Sequence, residues 1–287
     1  MLLRLGATTL DLHRRMAVMA IVNRTPDSFY DRGATYALEA SVDHALAQVE
    51  EGADLVDVGG VKAGPGEDVD TAAELDRIVP FVEAFRRRSD APLSIDTFRA
   101  VVADAALSAG ADLINDTSGL SDPDLAGVVA AHDAALVVMH SGGDIRQRPM
   151  RNHYHPDVTT VVRDELARLL DQAIAAGVDR DRIVVDPGHD FRKNTLHSLE
   201  VTRNLPVLAE LGRPVLVALS NKDFIGESLD LPLAERVDAS IGAAVVSMTL
   251  GARMVRVHET QRTVRAVRMA EVVLGWRDPV RTVRGLA

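Results

Sequence analysis

The chain has 287 residues, 47% of them hydrophobic and 26% charged, enough apolar material for one large core or two small ones. A formal net charge of −10 argues against a general nucleic-acid or anionic-membrane surface, while leaving room for a local basic pocket. There is no cysteine, which excludes disulfides, thiolate metal sites and a cysteine nucleophile. No apolar run approaches the roughly 20 residues of a membrane span. The first residues also lack the basic-then-apolar pattern of a secretory signal. A cytoplasmic protein is expected, with neither nucleic acid nor membrane as partner.

In chain order, residues 2–5 and 8–12 alternate weakly around Gly6, as a short β-hairpin would. The apolar run 16–22 reads as a buried strand that stops at Asn23 and opens into the polar loop Arg24-Thr25-Pro26-Asp27-Ser28-Phe29. Residues 36–51 have helical spacing, with Leu38, Val42, Leu46 and Val49 on one stripe and Gly52 as the stop. Strand 53–60 follows, then helix 71–88, strand 93–97, helix 100–108, strand 113–116, helix 123–131 and strand 135–140. Helix 157–176, strand 183–186, helix 195–211, strand 215–220, helix 233–250, strand 254–258 and helix 260–274 complete the series. One phrase recurs: Glu51-Gly52-Ala53-Asp54-Leu55, Ala109-Gly110-Ala111-Asp112-Leu113 and Leu250-Gly251-Ala252-Arg253-Met254 are each a helix end, a glycine stop and a strand start.

Eight strand–helix units without a composition break predict a (β/α)8 TIM barrel over residues 1–287 as one domain, with a short N-terminal β-hairpin. The competing architecture is a doubly wound open sheet, disfavoured because no G-x-G-x-x-G follows the first strand. The long breaks at 61–69, 141–156 and 188–194 all come after strands, where a barrel keeps its active-site loops. The polar residues at the strand ends are Asn23, Asp57, Asp96, Asn115, His140, Asp186, Ser220, Arg256 and His258. Singly, such residues read as caps, as a packed core histidine or as an ion-pair partner. Together, in a barrel, they would converge on one mouth. Asp96, Asn115 and Asp186 offer acceptors and an amide fork suited to a flat heterocycle with an amino-pyrimidinone edge. Lys222 adds a cation. Arg256 and His258, two apart on one strand, point the same way and with Asn23 could hold a phosphate or diphosphate and its metal. No local cluster suggests a dedicated zinc site.

These motifs resemble those of dihydropteroate synthase. The resemblance runs through Asn23-Arg24-Thr25-Pro26-Asp27-Ser28-Phe29, Asp57-Val58-Gly59-Gly60 with Pro65-Gly66, Ser94-Ile95-Asp96-Thr97 and Ile114-Asn115-Asp116-Thr117-Ser118-Gly119. It continues through Met139-His140, Asp186-Pro187-Gly188, Ser220-Asn221-Lys222-Asp223-Phe224-Ile225-Gly226 and Arg256-Val257-His258, covering almost the whole chain in the family's order. It implies a TIM barrel, a homodimer and a reaction joining p-aminobenzoate to 6-hydroxymethyl-7,8-dihydropterin diphosphate with Mg²⁺ assistance. It implies catalytic roles for Lys222 and Asp96. It also implies that Asp96, Asn115, Asp186 and Lys222 grip the pterin ring with Met139 packing on it, that Asp57, Phe191 and Ser220 belong to the substrate-binding set, and that Arg256 and His258 hold diphosphate oxygens with Asn23 at the metal.

The departures from the family pattern are concentrated in loops. Where the family has Gly-Gly-Glu-Ser-Thr-Arg-Pro-Gly, this chain has Gly59-Gly60-Val61-Lys62-Ala63-Gly64-Pro65-Gly66. Two glycines of Asp-Pro-Gly-x-Gly-Phe-Gly-Lys have become Asp190 and Arg192, costly if those positions require φ > 0. Asn221 stands where Arg is usual, Asp223 where Ser is usual, and Arg24 and Arg32 replace Val and Gly. The expectation is therefore a divergent homologue with a kept pterin floor and little or no synthase activity. Two alternatives stay open: an active synthase in which Lys62, Arg24 and Arg192 supply the missing charge, and another pterin-dependent barrel, such as a methyltransferase.

Overall fold

The computed structural model describes residues 1–24, 37–61, 69–143 and 153–284. The expected loop 25–29, Arg32 and the stretch from Lys62 to Gly66 lie outside these residues. The hairpin pairs strands β1 (Leu2–Leu5) and β2 (Thr8–Asp11) antiparallel. Eight parallel strands follow: β3 (Ala17–Asn23), β4 (Leu55–Gly59), β5 (Leu93–Asp96), β6 (Leu113–Asp116), β7 (Ala135–Met139), β8 (Ile183–Asp186), β9 (Leu216–Val217) and β10 (Met254–Val257). They are ordered β8-β7-β6-β5-β4-β3-β10-β9. A parallel bridge between Val185 and Val215, with the Val185 N–H donating to the Pro214 carbonyl at 3.0 Å, joins the two ends. The sheet closes on itself, as the eight-unit pattern predicts, and the open doubly wound sheet is excluded.

The helices are α1 (Leu38–Glu50), α2 (Thr71–Arg86), α3 (Ala100–Ser108), α4 (Leu125–Ala131), α5 (Val158–Ala175), α6 (Thr195–Arg203), α7 (Leu205–Ala209), α8 (Asp223–Leu229), α9 (Val237–Thr249) and α10 (Thr260–Val273). Their starts follow local chemistry. Asp70 and Asp157 accept the Ala73 and Thr160 N–H groups at 2.8 Å, and Asn194 forms a capping box with His197. The three recurring junctions stop at Gly52, Gly110 and Gly251 with φ of 100°, 115° and 111°, a conformation that disfavours any side chain.

Three elements differ from the sequence expectation. The helix expected over 195–211 is broken at Asn204, whose side chain donates to Thr159 Oγ1 at 3.1 Å and to the Glu200 carbonyl at 3.0 Å. Pro206 follows in the first turn of α7, where its missing N–H costs nothing. The strand expected over 215–220 keeps only Leu216–Val217, because the backbone turns away to present Ser220, Asn221 and Lys222. The short α8 falls in the stretch between the expected strand 215–220 and helix 233–250, to which the periodicity assigns no element.

Strand parity places everything that follows. Residues 19, 55, 113, 135, 137, 184, 216 and 254 point into the barrel and pack with Leu3, Leu5, Leu10 and Leu12 of the hairpin. The hairpin therefore plugs the amino-terminal end with apolar side chains. The alternate strand residues pack outward against the helices. Continuing the inner parity toward the carboxyl ends reaches Asn23, Asp57, Asp96, Asn115, Met139, Asp186 and Arg256. Among the described residues, no helix is long and apolar enough to cross a membrane.

The closing helix is tied to the barrel base by a buried carboxylate. Glu271, 1% exposed, accepts the Met16 N–H at 3.0 Å and pairs with Arg268 at 2.6 Å and Arg277 at 2.9 Å. Glu271→Leu leaves the buried Met16 N–H without its acceptor and Arg277 without its partner, while Arg268 keeps Asp54, a change worth about 1–3 kcal/mol. An unfolding free energy lowered by that amount, seen as a lower urea midpoint at an unchanged slope, is expected, and an unchanged midpoint would contradict it.

Candidate functional site

The mouth of the barrel is built in three connected groups. In the first, Arg256 of β10 reaches across to two carboxylates. Its Nε donates to Asp57 Oδ2 at 2.6 Å and its NH2 to Asp96 Oδ2 at 3.2 Å. Ser94 Oγ donates to Asp57 Oδ1 at 2.5 Å, and Asn115 Nδ2 donates to Asp57 Oδ2 at 3.1 Å. Asp57 is 0% exposed and both its oxygens are engaged, so it acts as the support on which Asn115 and Arg256 are oriented. Asp96 also accepts a long contact from Thr117 Oγ1 at 3.5 Å. Burial works against the Arg256 charge, but Asp57 and Asp96 outweigh it and raise its pKa. Burial lifts the Asp96 carboxyl to about 7, opposed by Arg256 and reinforced by the charge of Asp57.

The second group surrounds Asp186 and Lys222. Burial raises the pKa of Asp186, while Lys222, the Gly188 N–H at 2.7 Å, Lys193 and Arg256 pull it back. Lys222 donates to the His189 carbonyl and stands 4.6 Å from the Phe191 ring centroid, a cation–π contact. The chain must pass close here: a Cβ on Gly188, at φ 67°, would come within 2.2 Å of the His140 carbonyl oxygen. Met139, buried at the end of β7 and in register with Asp186, lies beside this passage. In the third group Ser220 Oγ meets His258 Nδ1 at 3.0 Å, joining the ends of the last two strands. Asn23 ends β3 in register with Gly59, next to Asp96 in the same row.

Direct contacts thus bring together Asp57, Asp96, Asn115 and Arg256, then Lys222 and Phe191, then Ser220 and His258. Asp186 is linked to the first two groups through the fields of Arg256 and Lys222. The sequence reading missed Lys193. Its buried ammonium meets His140 Nδ1 at 2.8 Å and the carbonyls of Gly188 at 3.0 Å, Phe191 at 3.1 Å and His140 at 3.3 Å. Burial pushes Lys193 down to about 7 and, with the charge of Lys193 adding to it, His140 down to about 3. His140 is therefore the packed core histidine that it resembles when taken alone, and Lys193 laces the β7 and β8 ends together. The signal was present, since Lys193 closes the Asp-Pro-Gly motif.

The substituted loop positions have definite geometry. Asp190, Arg192 and Asn221 have φ of 64°, 54° and 59°, the left-handed region where a glycine carries no penalty. Val61, in the place of the family's Glu, is buried. Arg24 is also buried and donates to the Arg77 carbonyl of α2. No group of three or more His, Asp or Glu residues arranged to hold a metal occurs among the described residues.

Raised in the fold, the Asp96 carboxyl costs nothing below the ordinary carboxylate range. Its cost grows as pH climbs from about 4 to about 7 and is constant above. Asp96→Asn should remove that cost. Its melting temperature relative to wild type should rise between pH 4 and pH 7 and then level off. The scale is on the order of 2–4 °C per kcal/mol for a domain of 150–250 residues. A difference independent of pH, read by thermal scans in matched buffers, would contradict the assignment.

Residues 19–258 match the family model described as pterin binding enzyme. The "Inactive dihydropteroate synthase 2" of Mycobacterium leprae is 50% identical over 278 residues, covering 95% of this chain and 96% of that protein. The dihydropteroate synthase of Bacillus subtilis is 36% identical, with 93% and 92% covered. Among solved structures, Yersinia pestis dihydropteroate synthase with a sulfonamide drug superposes with a TM-score of 0.90 at 36% identity, covering 96% of this chain and 100% of that one. The Xanthomonas albilineans enzyme with 4-aminobenzoic acid gives 0.87 at 39% identity, with 95% and 98% covered. With the barrel, the strand-end residues and these likenesses in agreement, the chain belongs to the pterin-binding enzyme family, as a divergent relative of dihydropteroate synthase.

Proposed function

We propose that this protein is a dihydropteroate-synthase-like barrel that keeps a pterin-binding floor and has lost most or all synthase turnover. The observation that carries the reading is the contrast inside one mouth. Asp57, Asp96, Asn115 and Arg256 form a bonded floor, whereas the loop after β8 holds Asp190 and Arg192 in left-handed backbone where the family pattern has glycine. Support comes from relatives about 50% identical over 95% of the chain that bear the name inactive dihydropteroate synthase 2.

In this reading Asp96, Asn115, Asp186 and Lys222 face the polar edges of a pterin, with Met139 and Phe191 against its ring. Asp96 and Lys222 hold the charges nearest the reacting carbon. Breaking the C–O bond to diphosphate would leave positive charge on the pterin, which the carboxylates stabilise. Mg²⁺ bound through Asn23 would neutralise the leaving group. Arg256 and His258 would meet diphosphate oxygens, but Arg256 is held between Asp57 and Asp96. Loss of the family's loop arginine at Gly64 and hydroxyl at Ala63 removes contacts that a lysine at 62 does not reproduce. Each lost transition-state contact of this kind costs about 10²–10³ in rate. Arg24 donates to a carbonyl on α2, and this interaction favours loss over compensation.

The proposed assembly is a homodimer through α9 and α10, which expose Val246, Met269 and Val273; a monomer by sedimentation at micromolar concentration would oppose it. The proposed setting is the cytoplasm. The functional reading is tested by steady-state product formation with both substrates and Mg²⁺, beside calorimetric titration with 6-hydroxymethylpterin. Measurable pterin binding with turnover at least 10²–10³ below the enzyme median of about 10 s⁻¹ is expected. Ordinary turnover would establish the active-synthase alternative, and absence of pterin binding would overturn the retained floor. Ala63→Thr with Gly64→Arg should raise turnover without tightening pterin binding.

A further inference from the structure

Three of the departures from the family pattern meet at one turn. Asp190, following β8, sends its carboxylate to the start of α8: Oδ2 accepts the Asp223 N–H at 2.7 Å and the Phe224 N–H at 3.3 Å. Lys222, the residue preceding the helix, makes no side-chain cap of its own, so the cap comes from another strand's loop. Ser198 of α6 steadies the accepting carboxylate. Its Oγ accepts the Asp190 N–H and donates to Oδ1, both at 3.2 Å. Asp223 in turn pairs with Arg236 at 3.0 Å, and Arg236 also donates to the carbonyls of Asn221 at 3.1 Å and Leu231 at 3.2 Å. The Asn221 N–H is held by Ser240 Oγ at 3.0 Å. Asn221 is 2% exposed, and its side-chain Oδ1 and Nδ2 find no partner among the described residues.

A glycine in place of Asp190 would supply none of the cap, and a serine in place of Asp223 would supply no charge for Arg236. The substitutions therefore constitute a bonded replacement rather than unconnected losses. The turn they secure carries Lys222. Among the described residues the Lys222 ammonium donates to the His189 carbonyl and to no other acceptor, although Asp186 is near enough to favour its charge. Burial lowers the Lys222 pKa, and Asp190 is the carboxylate that most opposes this, ahead of Asp186.

We propose that Asp190 is the positioning residue for Lys222: by capping α8 from the β8 loop immediately after Lys222, it fixes where that cation meets a ligand in the barrel mouth. The inference rests on the pterin reading above for the identity of the ligand, but not for the placement of the lysine. Two of the ammonium's three donors stay available to an incoming acceptor. The consequence is specificity for a flat ligand with a carbonyl oxygen beside Phe191.

The chain has only three lysines, Lys62, Lys193 and Lys222, so reductive ¹³C-methylation gives side-chain signals that single substitutions assign. In a pH titration of the ligand-free protein, Asp190→Asn keeps an acceptor for the helix start and removes the charge. The Lys222 signal should shift and titrate at lower pH, and by more than that of Lys193, for which Asp190 is a smaller influence than Asp186. An unchanged Lys222 would overturn the proposal whether or not any pterin binds. The second arm titrates 6-hydroxymethylpterin into wild type, Asp190→Asn, Lys222→Met and the double variant, each checked for folding by thermal unfolding. Asp190→Asn should weaken binding roughly tenfold, the scale of one charged contact. It should have no further effect once Lys222 is gone. Equal effects of Asp190→Asn in both backgrounds would reduce Asp190 to a structural cap and overturn the proposal. A lysine that responds in the first arm, in a protein that binds no pterin, would sink the pterin reading and leave the positioning role standing.

Discussion

The mouth of this barrel depends on a guanidinium held between two carboxylates. Arg256 joins β10 to β4 and β5, and the pair it forms with Asp57 sits where no water reaches the carboxylate. Such a pair adds little net stability against an apolar alternative, but breaking it leaves a buried charge without compensation. Its value is geometric. Asp57 spends both oxygens on Ser94, Asn115 and Arg256, which orients the amide of Asn115 and one edge of Asp96 in the same stroke. The apolar hairpin plug at the opposite end leaves this polar layer as the only polar floor of the barrel among the described residues.

A floor built this way can outlast the loops above it, because its bonds run between strands. Asp96, Asn115 and Arg256 depend on parity and register, and changes at positions 190, 192 or 221 leave both intact. The loops answer to different constraints. Asp190 and Arg192 occupy backbone that favours glycine, so each carries a conformational cost that an added contact must offset. Asp190 has such contacts in the two amides of α8 and in Ser198. The same divergence that removes a synthase feature thereby installs a connection between the β8 loop and the lysine turn.

Buried charge of both signs is the other cost of the arrangement. Asp96 at the end of β5 and Lys193 in the loop after β8 are each shifted to about 7 by burial. Lys193 offsets its desolvation with four acceptors, three of them backbone carbonyls that shape the chain around Gly188.

Much was determined by the sequence alone. The eight alternations of apolar run and helical stripe, with glycine stops at 52, 110 and 251, are local properties, and they specify a barrel whatever the site does. Strand parity is local too, so the convergence of Asn23, Asp57, Asp96, Asn115, Asp186 and Arg256 follows once the sheet closes. Tertiary structure alone decided which of these residues touch. That Asp57 is fully engaged, that Lys222 turns to the His189 carbonyl, and that Asp190 caps a helix more than thirty residues away are contacts between separate strands' loops. The break at Asn204 has the same origin, a side chain answering to Thr159 on another helix. Periodicity and motif spacing record what a residue does for its own segment. They carry no information on which distant donor a carboxylate will meet, because that is set by how the closed sheet brings its loops together.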